Sequence, residues 1–274
     1  MRGRRVFNRY PRLTGAGPPD QQKKDDFAIG KAVAFMKVWA HRGASAYAPE
    51  NTLEAFELAI KMGADGVELD VHLSRDGEIV VAHDERVDRV SNGSGLIKEM
   101  TLSEIKELDF GVRFEAYRGA KAPTLREVYE LLLPTRLTVN VELKTTDFDY
   151  PGIEQKCVDL AREMGMTQRV LYSSFNFESL DRVKAIDPSL PVGLLYGKPL
   201  EDVVQAVKAH RAQAVHPHYS LLYEAGMMDT LKAQGIWAHP WTVDQAADVK
   251  RLMDAGVEAV ITNRPDMALE VRGG

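Results

Sequence analysis

A chain of 274 residues with 45% hydrophobic content is long enough to build one large α/β domain around a full core. It contains no apolar run near the ~20 residues needed to cross a bilayer and no secretory leader pattern, so no integral membrane segment is expected. The single cysteine, Cys157, excludes an intrachain disulfide and agrees with a reducing cytoplasm. The net charge of −5 is uneven: residues 1–35 carry eight Lys/Arg and three Asp, hence +5, leaving −10 on the rest. An acidic body argues against nucleic acid as a partner, which would need a basic footprint.

Taken in chain order, residues 1–35 show no helical period and include Gly15, Gly17, Pro18 and Pro19. They are expected to be an N-terminal extension, added in cloning or translated from upstream sequence, ahead of a domain spanning 36–274. From Lys37 onward, short apolar runs alternate with amphipathic segments, the pattern of a parallel α/β fold. Strands are predicted at 37–41, 66–71, 138–143, 169–174, 191–196, 213–217, 235–240 and 258–262. Asn51 with Glu54 predicts a capping box for a helix over Thr52–Met62, closed by Gly63. Gly165, Gly235 and Gly256 end later helical patterns. Eight such units predict a (β/α)8 TIM barrel.

One stretch departs from this rhythm. Between the strand at 66–73 and Glu78–His83 only Ser74-Arg-Asp-Gly77 intervenes, too few residues for a parallel crossover, so a hairpin is predicted. Folding about residues 75–76 returns His83 opposite Glu68. A small insertion of about 72–123 then lies between the second strand and its helix, with a capped helix from Thr101 to Leu108 and a capping box at Thr124-Leu-Arg-Glu127 resuming the pattern.

Glu68 and Asp70, two apart on a strand, leave the same face, and at a barrel strand's end that face is the lumen. Glu142 adds a third oxygen donor from the next strand. A single acid there would ordinarily pair with Arg or Lys. Three converging would be costly to bury without compensation, and one divalent metal ion, Mg2+ or Ca2+ with Mn2+ as a further option, resolves that. Arg42 and Lys144 are the cations nearby. With the metal they leave the site at +1, which a phosphodiester monoanion would neutralise. His41 and His83 can each give or take a proton near neutrality, and the spacing leaves their order open. Trp241, in His239-Pro-Trp-Thr-Val243, is placed where an aromatic could stack on an apolar ligand face or simply pack. His72 shares the face of Glu68 and Asp70 and is expected to pack or to support the site. His210 falls on a helix.

His41-Arg-Gly with Pro49-Glu-Asn-Thr52, Gly63-Ala-Asp-Gly-Val-Glu-Leu-Asp-Val71 and Val80-Val-Ala-His-Asp84 resemble the opening signature of the glycerophosphodiester phosphodiesterases, in order and spacing. Ala122-Pro-Thr-Leu125, Val141-Glu-Leu-Lys144, Ser174-Phe175, Trp241-Thr-Val243 and Gly256-Val-Glu-Ala-Val-Ile-Thr-Asn-Arg-Pro265 extend the likeness over about 37–270. The resemblance implies a barrel with an insertion after its second strand, His41 and His83 as acid and base, and Glu68, Asp70 and Glu142 as metal ligands. Arg42 and Lys144 then stand at phosphate-contacting positions. It implies hydrolysis of small glycerophosphodiesters, such as glycerophosphocholine, to glycerol 3-phosphate and an alcohol, with a homodimer as the assembly to test. Glu258 and Asn263 stand where the family commonly has Asp, and neither is expected to touch the chemistry. The alternatives are a lysophospholipase D-type enzyme on the same fold, which would want an apolar groove, and a non-catalytic metal-dependent binding barrel, which would need no histidine pair.

Overall fold

The computed structural model describes residues 36–274, so the extension expected at 1–35 lies outside the described residues. Within them β1 (Lys37–His41), α1 (Leu53–Met62), β2 (Gly66–Leu73) and β3 (Ile79–Val81) are followed by α2 (Leu102–Glu107), α3 (Leu125–Leu132), β4 (Thr138–Leu143) and α4 (Ile153–Glu163). Then come β5 (Val170–Ser174), α5 (Phe177–Ile186), β6 (Val192–Tyr196), α6 (Val203–Ala209) and β7 (Ala214–Pro217). The chain ends with α7 (Met227–Ala233), β8 (Trp237–Ala238), α8 (Ala246–Ala255), β9 (Ala259–Thr262) and α9 (Pro265–Gly273). The parallel strands run in the order β8-β7-β6-β5-β4-β2-β1-β9, with β3 antiparallel on β2. Backbone bonds from Val243 to Ile261 and from Ile261 to Pro240 span the gap between the first and last of them. The result is a nearly closed (β/α)8 TIM barrel.

Alternation explains the two faces of each wall strand. On β4, Val139, Val141 and Leu143 are buried in the main apolar core, while Asn140 and Glu142 take the other face. Register then sets the lumen: His41 pairs with Glu68, Glu68 with Asn140, and Asp70 with Glu142. Adjacent parallel strands thus carry their polar residues at one level, near the carboxyl ends.

The insertion has a small core of its own, with Val80, Ala82, Val87, Ile97, Ile105, Phe110 and Ala122 buried together. Thr101 and Thr124 each make a full capping box, with Glu104 and Glu127. The hairpin is present, but its register (Val71 with Val81, His72 with Val80) extends to place His83 opposite Leu69, one residue from the expected Glu68. The predicted cap at Asn51 is also corrected. Thr52 caps α1 by accepting from the Ala55 amide, while Asn51 sits at φ 57 and turns its side chain to Asp70. The last strands are shorter than predicted, β8 covering only Trp237–Ala238 of 235–240.

Candidate active site

The β1–α1 turn carries Arg42 into the left-handed region at φ 57, and Gly43 follows at φ 80. A Cβ on Gly43 would lie 2.6 Å from the Ala55 carbonyl carbon, so only glycine lets this turn lie against α1. The conformation aims the Arg42 amide at Glu68, 3.0 Å from Oε2. Its guanidinium reaches Glu50 at 3.0 Å and Asp70 at 3.4 Å.

Glu68, Asp70 and Glu142 are all buried, and an oxygen of each lies within 4.8 Å of the others. Burial, together with the charges of Asp70 and Glu142, raises the Glu68 pKa well above the ordinary range. Burial opposes ionisation of Asp70 as well, but Arg42, Lys144 and the Asn51 side chain at 2.8 Å outweigh it and hold that carboxyl low. Glu142 is raised by burial against the pull of Lys144, whose ammonium lies 2.9 Å from it and 3.6 Å from Asp70. Asp70 Oδ1 is buried with no hydrogen-bond partner among the described residues. An all-oxygen set with one unserved buried acceptor, its charge only partly balanced, fits a hard divalent cation.

The two imidazoles are anchored from opposite sides. His41 Nδ1 lies 2.7 Å from Asn263 Oδ1, and its Nε2 is 3.9 Å from Glu68. Burial and then the Arg42 charge push its pKa down to about 4, against the Asn263 bond. His83 Nδ1 lies 2.6 Å from Asp84. Asp84 is gripped by Arg89 at 2.5 and 3.1 Å, and Arg89 also forks onto Glu50 at 2.6 and 2.8 Å. A chain of side-chain bonds therefore runs from His83 through Asp84, Arg89 and Glu50 to Arg42. His72 donates from Nε2 to the His83 carbonyl at 3.1 Å and meets the Tyr150 hydroxyl at 3.0 Å, the supporting role expected of it.

His41, Arg42, Glu68, His83, Asn140, Glu142, Phe175, Leu195, Trp241 and Ile261 line one hollow at this end of the barrel. Trp241 donates to the His216 carbonyl at 2.8 Å and meets Phe175 edge-on, ring centres 5.7 Å apart. Lys144 borders an adjoining hollow that shares Phe175. The eight residues singled out from sequence therefore converge. Asn263, expected to stand clear of the chemistry, is bonded to the His41 ring. Asp84, Arg89, Glu50 and Asn51 were also missed. Asp84 directly follows His83, which was already singled out, and that adjacency was the available signal; Asn263 had no such neighbour.

The fold and site together fit a barrel enzyme of the phosphodiester-cleaving class, with three buried carboxylates, two basic side chains and two imidazoles gathered at one end. Residues 41–267 match the model of the glycerophosphoryl diester phosphodiesterase family, and the chain belongs to that family. It is 43% identical over 240 residues to a glycerophosphodiester phosphodiesterase of Caldanaerobacter subterraneus subsp. tengcongensis, covering 86% of this chain and 98% of that one. It is 38% identical to the corresponding Bacillus subtilis enzyme, covering 86% of each. Among solved structures, an Agrobacterium tumefaciens glycerophosphodiester phosphodiesterase superposes with a TM-score of 0.75 at 31% identity, over 86% of this chain and 99% of that one. An Oleispira antarctica phosphodiesterase in complex with the product sn-glycerol-3-phosphate superposes at 0.79 with 29% identity, over 88% and 98%. Among the described residues no helix is long and apolar enough to cross a membrane.

Proposed function

We propose that this chain hydrolyses glycerophosphodiesters to glycerol 3-phosphate and an alcohol, with His41 and His83 moving the protons. The observation that carries the reading is that two imidazoles, each fixed at Nδ1 by a separate partner, line the hollow that also holds Glu68 and Glu142. Glu68, Asp70 and Glu142 would hold a divalent cation, which supplies charge stabilisation for the non-bridging phosphate oxygens when bound. Arg42 and Lys144 would bind the phosphate and share that task.

The hydrogen-bond partners support an order for the protons. His41 faces a neutral amide at Nδ1 and is held uncharged, which suits Nε2 to accept the proton of the attacking oxygen. His83 is anchored at Nδ1 by the carboxylate of Asp84, which leaves its other nitrogen for the departing alcohol and suits it to the role of acid. Trp241 and Phe175 give the substrate's carbon skeleton an apolar wall.

The test is release of glycerol 3-phosphate from glycerophosphocholine, glycerophosphoethanolamine and glycerophosphoglycerol, with lysophosphatidylcholine alongside, whose cleavage is followed by choline release. Release should vanish with chelator and return with Mg2+, Mn2+ or Ca2+. His41→Ala and His83→Ala should each lose about 100- to 10,000-fold in turnover while staying folded. Full turnover under chelation, or near-normal turnover in both variants, rejects the reading, and cleavage of the lysophospholipid alone moves it to the D-type alternative.

A further inference from the structure

Asp244, just beyond β8, collects three donors. Its Oδ1 accepts from the Thr262 hydroxyl at 2.9 Å and from the Asn263 backbone amide at 2.8 Å. Its Oδ2 accepts from the Asn263 side-chain Nδ2 at 2.6 Å. A carboxylate offers acceptors alone, so it dictates which end of the Asn263 amide faces it. The nitrogen turns to Asp244, and Oδ1 is left pointing the other way. That oxygen can only accept, and it lies 2.7 Å from His41 Nδ1 and 2.8 Å from the Ser45 hydroxyl. His41 must therefore carry its proton on Nδ1, which leaves the lone pair on Nε2, on the side of Glu68 and the hollow.

We propose that Asp244 and Asn263 are positioning residues that set the tautomer and ring angle of His41. Neither touches the reacting atoms. Polarity passes along the chain carboxylate, amide, imidazole, and it is read out at an atom that neither residue contacts. The inference rests on the reading of His41 as proton acceptor for its consequence in turnover, but the tautomer itself is independent of that reading.

Reversing the polarity separates orientation from mere packing. In Asp244→Asn the Asn263 amide is free to turn over and offer Nδ2 to His41, which drives the imidazole proton to Nε2. Asn263→Ala is the milder change, since the backbone and Thr262 bonds to Asp244 remain. The double swap Asp244→Asn with Asn263→Asp restores the direction, because Asn at 244 donates to Asp at 263 and a carboxylate oxygen again accepts from Nδ1.

Long-range 1H–15N spectra of the full chain, with His41→Ala to identify the signal, should show His41 as the Nδ1–H tautomer in the parent and the double swap. In Asp244→Asn and Asn263→Ala the signal should shift toward Nε2–H or a mixture. Turnover of a glycerophosphodiester should fall about 10- to 100-fold in kcat in the single variants, with KM within about twofold, and recover to within about fivefold in the double swap. A parent spectrum with the proton on Nε2, or a folded double swap no better than Asp244→Asn in both readouts, overturns the proposal. If His41→Ala keeps full turnover while the tautomer responds as stated, the positioning stands and the role given to His41 in catalysis falls.

Discussion

Glu68 is 3% exposed and shares its surroundings with two other buried carboxylates. Burial first, then the Asp70 and Glu142 charges, raise its folded-state pKa well above the ordinary value. A carboxyl raised in this way contributes its full stability below the unfolded-state pKa of about 4.3 and loses it as pH climbs through the folded-state value. Glu68→Gln removes that cost and keeps an oxygen for the Arg42 amide. The metal-free variant should therefore be more stable than the parent by about 1 kcal/mol at neutral pH, a gap that closes toward pH 4. It should also lose the rise in melting temperature that added Mg2+ or Ca2+ gives the parent, and most of its turnover. Thermal melts with and without cation, across pH, check both halves; a parent more stable than the variant without metal would contradict this account of Glu68. Glu68, Asp70, Glu142 and Lys144 were legible because strand alternation places them on one face, and His41, Arg42 and His83 because they stand at or just past strand ends. Asn263 was not: an amide carries no charge to flag it, and its importance comes from Asp244, nineteen residues away and on another loop.

At the scale of elements, the insertion is a lever on the site rather than a lid over it. Its own core is closed by Val80, Ala82, Val87, Ile97 and Ile105, and one side chain, Arg89, reaches out to join Asp84 to Glu50. Through them it holds His83 on one side and Arg42 on the other. Arg89→Ala should leave the insertion folded, since the arginine is not in that core, but let both groups drift. A misplacement of about 1 Å can cost on the order of 100-fold, so kcat should drop about 10- to 100-fold with little change in circular dichroism. Arg89→Lys should rescue only part, because a compact ammonium cannot reproduce the two bidentate pairs that the guanidinium makes with Asp84 and Glu50. Parent-like kcat in Arg89→Ala would show that Asp84 needs no such clamp. The hairpin that starts this insertion was legible from its four-residue turn, yet its register was off by one. Length permits either pairing, and the choice falls to packing, with Val80 and Thr124 bridged on the far side. Asn51 resembles a cap in sequence for a similar reason: Asn and Thr stand side by side, both cap well, and the need of buried Asp70 for a donor decides between them.

For the whole molecule, the seam between β8 and β9 is the weakest part of the wall and also the part that supports His41. No strand ladder joins the two. Besides the backbone bonds of Val243 and Ile261, the seam relies on the Glu258 side chain, which accepts from the Ala238 amide at 2.7 Å. Asp244 and Asn263 lie just past the two strands, so loosening the seam loosens their hold on the imidazole. Glu258→Ala leaves the Ala238 amide without its acceptor, at a cost of about 1–3 kcal/mol. It should lower turnover together with melting temperature. Glu258→Gln separates charge from shape. Burial raises the Glu258 pKa, so its ionised form is the disfavoured one in the fold. By the same sign as for Glu68, the parent is at its best below the unfolded-state pKa and gives up stability as pH rises through the folded-state value. The glutamine variant, which keeps an acceptor for Ala238 and never ionises, should match the parent near pH 4 and exceed it by pH 7, with turnover unchanged. Melts of all three proteins from pH 4 to pH 8 decide the matter: a glutamine variant that falls below the parent as pH rises would mean that the seam needs the charge and not just the oxygen.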